Sequence, residues 1–493
     1  MKKLVLCFLA LALVFAGCSN DDNGGNNGFN VDTDLAAEDF IWDAMNYWYF
    51  WQGNVPNLAD DRFATEEEYA AFLDGFSSPQ NLYFNLCDRH VNIVGDNNPV
   101  DRFSFISADY NELFNSQQGI FKSNGVEFGL VQFSNNNNIY GYVRYIIPGS
   151  DAATKNIQRG DIFIGVDGQT LNLSNYIGLL FGNNDTYTLN MASIENNVIS
   201  GNGQEVTLTK TELTENPVLV SKSLDVGGTK VGYIMYNGFT GSFDDQLNAA
   251  FGQLNSEGVT ELVLDLRYNP GGSVASSAAL ASMITGQFNG DLFLKETWNS
   301  KVSATFTSQE LETRFPSNTR NGQAINSLNL NRVYILALRS SASASELVIN
   351  GLDPYINVVH IGTTTRGKNE FSLTLVDNRN TDSRGRPFLP PNNLNTLNPN
   401  HTFAIQPLAG RNENANSDSD YTSGLVPNIV LDEDLENLGV LGDENEPLLA
   451  RALQEIGGSA SRTFTKTPAM PIKEITNSKM FKPTKDNMYK DNF

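Results

Sequence analysis

Histidine, cysteine and positive charge are all scarce in this sequence of 493 residues. It has three histidines and three cysteines, and its 56 acidic residues outnumber its 33 lysines and arginines, for a net charge of −23. This acidic balance disfavours a nucleic-acid partner, because nucleic-acid binding requires a basic face. His90, His360 and His401 are scattered without the spacing of metal ligands. The sequence therefore predicts neither a metal site nor another cofactor.

Long apolar runs are also rare. The run Leu4–Ala16 follows two lysines and is too short to span a bilayer. It leads into Phe15-Ala-Gly-Cys18, which resembles a bacterial lipobox, and Asp21-Asp22 resembles the acidic signals of Bacteroidetes-type lipoproteins. Residues 1–18 are therefore predicted to be a lipoprotein signal with lipidation at Cys18, and residues 19–34 a flexible tether. The alternative is an ordinary secretion signal with a chance cysteine.

The cysteine count limits the role of Cys87. Cys7 lies in the predicted signal and Cys18 is the predicted lipid site, so Cys87 has no partner for an intrachain disulfide. An apolar and aromatic context predicts a buried, inert thiol rather than a nucleophile. No stretch after the signal is apolar enough to cross a membrane.

Composition and periodicity divide the rest of the chain into four parts. Residues 35–120 hold three of the four tryptophans and predict an N-terminal helical module. Residues 121–215 predict a β-rich domain, and residues 220–457 alternate strands with helices, which favours a layered α/β core. Residues 458–493 are polar and rich in lysine, and we expect a flexible tail.

The β-rich part resembles a PDZ domain. A strand at 141–147 is followed by a small-residue helix start, a Gly160-Asp161 turn and a strand at 162–166. PDZ domains bind a peptide as an added strand and capture a chain end with backbone N–H groups. The resemblance places the carboxylate-binding loop at 127–130 and predicts substrate binding by Phe128, Gly129 and Leu130. A small β-domain without a ligand is the alternative.

A serine and a lysine carry the main chemical signal. Ser343 lies in the run Ser341-Ala-Ser-Ala-Ser-Glu346 at a predicted helix start, and Lys368 follows Gly367. A serine hydroxyl needs a base, and with so few histidines a lysine can serve if burial keeps its amine neutral. The alternative interpretation is a capping box, in which Ser343 and Glu346 close the helix end, beside a solvated lysine.

A glycine-rich turn supplies a third element. Asn269-Pro-Gly-Gly272 follows an apolar strand and precedes an Ala/Ser-rich helix, where exposed backbone N–H groups can stabilise an oxyanion. It is not a phosphate-binding loop, because no Gly-Lys-Ser/Thr follows. A tight turn that needs glycine geometry is the alternative.

Together, the motifs 264–272, 341–346 and 362–368 resemble the C-terminal-processing (tail-specific) serine peptidase family, which is related to tricorn-like peptidases. The resemblance implies an α/β multidomain fold, with a crotonase/ClpP-like layered α/β peptidase core, an embedded PDZ-like domain and an N-terminal helical module. It implies Ser343 as nucleophile and Lys368 as base. The oxyanion donors would be the Ala344 N–H and a glycine, Gly271 or Gly272.

Two departures from the family pattern concern the surroundings of the base. Arg366 stands where many members have an aromatic residue before Gly-Lys. Many members also have a glutamine four residues after the lysine, or an aspartate on the helix after the serine, to orient the base. Ser372 occupies the first position and Asp353 lies one residue from the second, so both are candidates for a third catalytic residue.

The resulting hypothesis is a serine endopeptidase of the cell envelope, held by its lipid on the periplasmic face or the outer surface of the outer membrane. Its partners would be protein or peptide substrates, and the lipid would be its only membrane contact. The sequence does not indicate an oligomeric state. An inactive peptide-binding lipoprotein of the same fold is the main alternative, and a hydrolase of non-peptide acyl groups is another.

Overall fold

The computed structural model describes residues 28–133, 136–195, 198–457 and 472–490. The predicted signal, Cys18 and most of the tether lie outside these ranges. The described end of the predicted tether is not free: the Phe29 ring lies 5.5 Å from that of Tyr69, and Val31 packs against the same core. Within the described ranges, no helix is both long and apolar enough to cross a membrane.

The N-terminal module is helical and is built around aromatic side chains. Trp48 and Tyr49, at the end of its first helix, are fully buried in the largest hydrophobic cluster. Cys87 is free and buried, and burial raises the pKa of its thiol well above the usual range, which confirms the predicted inert thiol. The elements of this module are α1 (Ala36–Trp48), α2 (Glu66–Asp74), α3 (Pro79–Asn85), α4 (Val91–Val94), β1 (Phe105–Ser107) and α5 (Tyr110–Gln117).

The next unit is β-rich and has its own hydrophobic cluster, centred on Phe128, Phe163 and Leu189. Its strands form an antiparallel sheet in the order β3-β4-β5-β7-β8, with β6 paired to β5 and β2 paired to β9. Its elements are β2 (Ile120–Ser123), β3 (Val126–Phe133), β4 (Ile139–Ile146), β5 (Ile162–Val166), β6 (Gln169–Thr170), α6 (Tyr176–Phe181), β7 (Thr186–Glu195), β8 (Val198–Thr209) and β9 (Thr211–Thr214).

A six-stranded sheet in the order β10-β11-β12-β16-β17-β22 forms the centre of the α/β core. All its neighbours pair in parallel except β10 and β11. Leu262 and Leu264 face one hydrophobic cluster and Val263 faces another, as the alternation of a strand covered on both sides requires. Its strands and helices are β10 (Val218–Val226), β11 (Thr229–Tyr236), α7 (Asp244–Ser256), β12 (Glu261–Asp265), α8 (Val274–Thr285), β16 (Arg332–Ala337), α10 (Ala344–Leu352), β17 (Asn357–Gly362), β22 (Ile429–Val430) and α11 (Pro447–Ile456).

A second six-stranded sheet, in the order β13-β24-β18-β21-β14-β15, lies beside the first, and β1 pairs with β20 in a small three-stranded sheet with β19. The mixed α/β, multidomain architecture with an N-terminal helical region confirms the predicted fold class. The remaining elements are β13 (Gly272–Ser273), β14 (Leu292–Trp298), α9 (Ser300–Ser303), β15 (Glu312–Arg314), β18 (Glu370–Ser372), β19 (Leu375–Val376), β20 (Ala404–Gln406), β21 (Leu408–Asn414), β23 (Ile472–Asn477) and β24 (Met488–Tyr489).

The prediction of a flexible tail is wrong for residues 472–490, which we call the tail segment. It forms β23 and β24, and Asp486, Asn487, Met488 and Tyr489 are buried. β23 pairs with β3 and β24 lies between β13 and β18. The sequence did not predict these strands, because the segment is polar, the strands are short and their partner strands lie far away in sequence. Residues 458–471 and 491–493 lie outside the described ranges.

Parallel topology brings the three predicted motifs together. β12, β16 and β17 are neighbours in the first sheet, and the loops that leave their carboxyl ends carry Asn269–Gly272, Ser343 and Lys368. The carboxyl ends of parallel strands share one edge of a sheet, which is where α/β proteins place their sites.

Candidate active site

Ser343 has a strained backbone and an unpaired hydroxyl. It immediately precedes α10 with φ of 65° and ψ of −116°, a conformation that non-glycine residues rarely adopt. The side chain is fully buried, and its Oγ has no hydrogen-bond partner. Buried hydroxyls are normally paired and strained backbones are costly, so this combination is unusual for a serine with only a structural role.

The neighbouring serines fix this loop against the glycine-rich turn. Ser341 Oγ donates a hydrogen bond of 2.8 Å to the carbonyl of Leu266, and Ser345 Oγ donates one of 3.0 Å to the carbonyl of Asn269. These two hydroxyls therefore hold Ser343, which lies between them, beside the turn at 269–272.

Lys368 is fully buried, and burial lowers the pKa of its amine to about 8. The carboxylates of Asp486, Glu370 and more distant acids oppose this shift without cancelling it. Nζ donates a hydrogen bond of 2.7 Å to the backbone carbonyl of Asp486 and lies 5.2 Å from the ring centroid of Phe103. A lysine in this state can exchange a proton near neutral pH.

The carboxylate of Glu346 connects the serine and the lysine. Its Oε2 accepts the backbone N–H of Ser343 at 2.7 Å and that of Lys368 at 2.9 Å. Its Oε1 accepts the N–H of Gly367 at 2.6 Å and the hydroxyl of Thr365 at 2.5 Å. Burial raises the pKa of this carboxyl to about 7 although these hydrogen bonds oppose the change.

Glu346 therefore sets the separation of the two predicted catalytic residues. The sequence identified it only as the cap partner of Ser343, and the structure has that capping box: the Ser343 N–H donates to Glu346, and the Glu346 N–H faces Ser343 Oγ without forming a hydrogen bond. Its contacts with residues 365–368 had no sequence signal, since they depend on how the loop after β17 packs.

Two glycines of this turn lie too close to their neighbours to carry any side chain. Gly271 has φ of 110°, and a Cβ there would lie 2.6 Å from the Cβ of Ser343. Gly272 has φ of 137°, and its Cβ would lie 2.2 Å from the carbonyl oxygen of Phe239. The Gly271 N–H donates to Asn269 Oδ1 at 2.9 Å, and Gly272 pairs with Met488 of β24, so both glycines have backbone partners in this state. The Ala344 N–H opens α10 and has no intrahelical acceptor.

The two candidates for a third catalytic residue differ in location. Ser372 is buried on β18, and its Oγ has no hydrogen-bond partner. Asp353 is exposed at the far end of α10 from Ser343, about 13 Å along a nine-residue helix. This exposed position at the far helix end does not favour Asp353 as the residue that orients the base. Arg366 is the other departure from the family pattern. Its Nε lies 3.2 Å from a carboxylate oxygen of Asp486.

The predicted carboxylate-binding loop is a strand instead. Phe128, Gly129 and Leu130 lie in the middle of β3, where Gly129 and Leu130 pair with β4 on one side and with β23 on the other. The ring of Phe128 packs against Phe163 and Phe181. The alternation of apolar residues in this segment is typical of a strand, but the resemblance to PDZ domains led to the prediction of a loop.

No cluster of three or more histidine, cysteine, aspartate or glutamate side chains suited to a metal ion occurs in the described part of the chain.

Comparison with known proteins gives two family matches. Residues 36–105 match the model "Peptidase S41 N-terminal domain", and residues 230–381 match "Peptidase family S41". Carboxyl-terminal-processing proteases of Picosynechococcus and Synechocystis are 26% and 29% identical over 226 residues, which is 45% of this chain. The matched segment covers 49% and 48% of those two proteins, so the similarity spans about half their length.

A crystal structure of a putative S41 protease from Bacteroides fragilis has the same fold. It aligns with a TM-score of 0.61 at 26% identity and covers 84% of this chain and 96% of that one. These matches bear out the predicted resemblance over residues 36–105 and 230–381, and they support the prediction of a serine-type peptidase.

Proposed function

Since the chain carries an S41 peptidase domain, we propose that it is a serine endopeptidase with Ser343 as nucleophile and Lys368 as general base. The observation that carries this proposal is the pair formed by an unpaired, strained serine and a buried lysine, whose backbones share one carboxylate oxygen of Glu346. A structural role for these residues explains neither the unpaired hydroxyl nor the burial of an amine.

The reaction would follow the acyl-transfer scheme of serine hydrolases. Ser343 Oγ attacks the carbonyl carbon of the scissile peptide bond, and Lys368 Nζ accepts the hydroxyl proton. The N–H groups of Ala344 and of Gly271 or Gly272 would stabilise the oxyanion that forms. Lys368 then donates the proton to the departing amine, and water attacks the acyl-enzyme to release the second product and restore Ser343.

A fluorophosphonate probe tests the proposal directly, because it labels only an activated serine. We expect labelling of the intact protein at Ser343, its loss in Ser343→Ala, and a decrease of at least about 10²-fold in Lys368→Ala. Ser340→Ala is the matched control, because Ser340 is in the same loop and its hydroxyl bonds the carbonyl of Arg267. Unchanged labelling in Ser343→Ala contradicts the proposal.

The finer parts of the hypothesis depend on other features. We propose that the β-rich unit acts as a PDZ-like module for substrate segments and that Cys18 carries a lipid in the cell envelope. Metabolic labelling with an alkyne fatty acid, compared between the intact chain and Cys18→Ala, tests the anchor. Label that persists in Cys18→Ala contradicts it.

An inactive binding protein is the second candidate, because Lys368 Nζ is already hydrogen-bonded to the Asp486 carbonyl. The same probe separates the two candidates. Complete absence of labelling under all conditions, together with retained binding of an unfolded polypeptide, favours the binding protein.

A further inference from the structure

The tail segment occupies the edge of the β-rich sheet. Its strand β23 pairs antiparallel with β3, from Ile472 opposite Phe133 to Asn477 opposite Gly129. Peptides bind PDZ-like modules as an added antiparallel strand of this kind. The edge that an external segment would use is therefore filled by the chain itself.

Side chains fasten the tail segment to this edge. Ser478 Oγ accepts the N–H of Phe128 at 3.0 Å and donates to Glu127 at 2.5 Å. The ring of Phe481 stacks on that of Phe181, with centroids 3.6 Å apart and planes 10° from parallel. Lys482 Nζ lies 2.6 Å from a carboxylate oxygen of Glu127.

Farther along, the same segment passes through the candidate active site. β24 pairs in parallel with β13 of the glycine-rich turn and with β18, which follows Lys368. The Asp486 carbonyl accepts a hydrogen bond from Lys368 Nζ. A Cβ on Gly271 would lie 2.9 Å from both the Asn487 carbonyl oxygen and Ser343 Oγ, so this carbonyl adjoins the nucleophile.

We infer that these two strand positions form one path for an extended substrate segment, and that residues 472–490 are its resident occupant. The inference depends on the proposed function only where it calls the bound segment a substrate. The binding of an extended polypeptide along this path does not depend on it. The path takes unfolded polypeptide through main-chain pairing and selects apolar and aromatic side chains, because Met488 and Tyr489 are buried in it. External substrates must displace the tail segment, which therefore inhibits in cis.

A double substitution, Phe481→Ala with Lys482→Ala, tests this in the full chain. It removes the ring stack and the ion pair while leaving every proposed catalytic residue in place. We expect fluorophosphonate labelling and cleavage of a reduced, carboxymethylated protein to rise at least about tenfold. Lys473→Ala is the matched control, because this exposed lysine is on the same segment. Equal, measurable rates in the intact chain and the double variant overturn the inference.

A binding measurement separates this inference from the proposed function. A fluorescent peptide of residues 472–490 is titrated into full-length Ser343→Ala, with and without the double substitution. We expect the peptide to bind at least about tenfold more tightly to the protein that carries the double substitution. A scrambled peptide should bind the two proteins equally. Equal affinity overturns the inference even if the enzyme is active. A tenfold difference supports it even if no serine is labelled.

Discussion

At the scale of the residue, the buried amine of Lys368 makes the proposed chemistry dependent on pH. Burial lowers its pKa to about 8, so about a tenth of the amine is neutral at pH 7. Only the neutral amine can accept the Ser343 proton. We expect kcat/KM to rise about tenfold per pH unit below about pH 8 and to level off above it. A profile that is flat from about pH 6 to about pH 9 contradicts the role of Lys368 as base.

Glu346 is predicted to be a positioning residue. Glu346→Gln keeps the shape but replaces one acceptor oxygen with a donor that faces backbone N–H groups, so we expect a loss of stability of about 1–3 kcal/mol. Because the carboxylate also raises the Lys368 pKa, its removal should shift the pH profile of kcat/KM toward lower pH. Exposed Glu112→Gln is the control. A lower Tm with an unmoved pH profile would indicate a purely structural role.

The sequence predicted which residues form the site better than what surrounds them. Ser343, Lys368 and the glycine-rich turn could be proposed from sequence because each lies in a loop that directly follows an apolar strand. The third-residue prediction at Asp353 is not favoured by the structure, because the length of α10 separates that residue from the serine. The shared carboxylate of Glu346 depends on packing between distant loops and had no local signal.

At the scale of the element, the turn at 269–272 is constrained by both backbone angle and space. In Gly272→Ala, the new Cβ would meet the Phe239 carbonyl, and φ of 137° is unfavourable for alanine. We expect a loss of at least about 1–3 kcal/mol and a strong decrease in Ser343 labelling, because the turn that holds the candidate oxyanion donors moves. Gly178→Ala is the control, since a Cβ at Gly178 in α6 meets nothing within 4 Å. Equal Tm values for the two variants contradict the expectation.

Elements with strong apolar patterns were predicted well, and those that depend on distant pairing were not. β12, β16 and β17 are continuous apolar runs bounded by turn residues, so their sequences specify buried parallel strands. β24 has only two residues, and its partners Gly272 and Ser372 are far away in sequence. Propensity cannot reveal such a strand, because its stability comes from the neighbours that it pairs with.

At the scale of the whole molecule, a buried charge cluster joins the β-rich unit to the α/β core. Arg159 of the β-rich unit lies 2.7 Å from a carboxylate oxygen of Glu433, and Arg267 of the α/β core lies 3.1 Å from the same oxygen. Tyr268 donates a hydrogen bond of 2.5 Å to that oxygen as well. One carboxylate therefore fixes the position of the β-rich unit, and with it β3, relative to the site.

This cluster makes the junction sensitive to acid. Burial alone would raise the pKa of Glu433, but the two arginines outweigh it and lower the pKa to about 2. A carboxylate whose pKa is lowered by folding stabilises the fold at pH values above its pKa in the unfolded chain. That contribution is lost as the pH falls toward about 2. Glu433→Gln should thus lower the free energy of unfolding by about 3 kcal/mol at pH 7. The difference in this free energy between the variant and the intact chain should narrow below about pH 4. Urea unfolding measures this, with exposed Glu444→Gln as control. A cost that does not change with pH contradicts an electrostatic junction and indicates that shape alone holds the two units together.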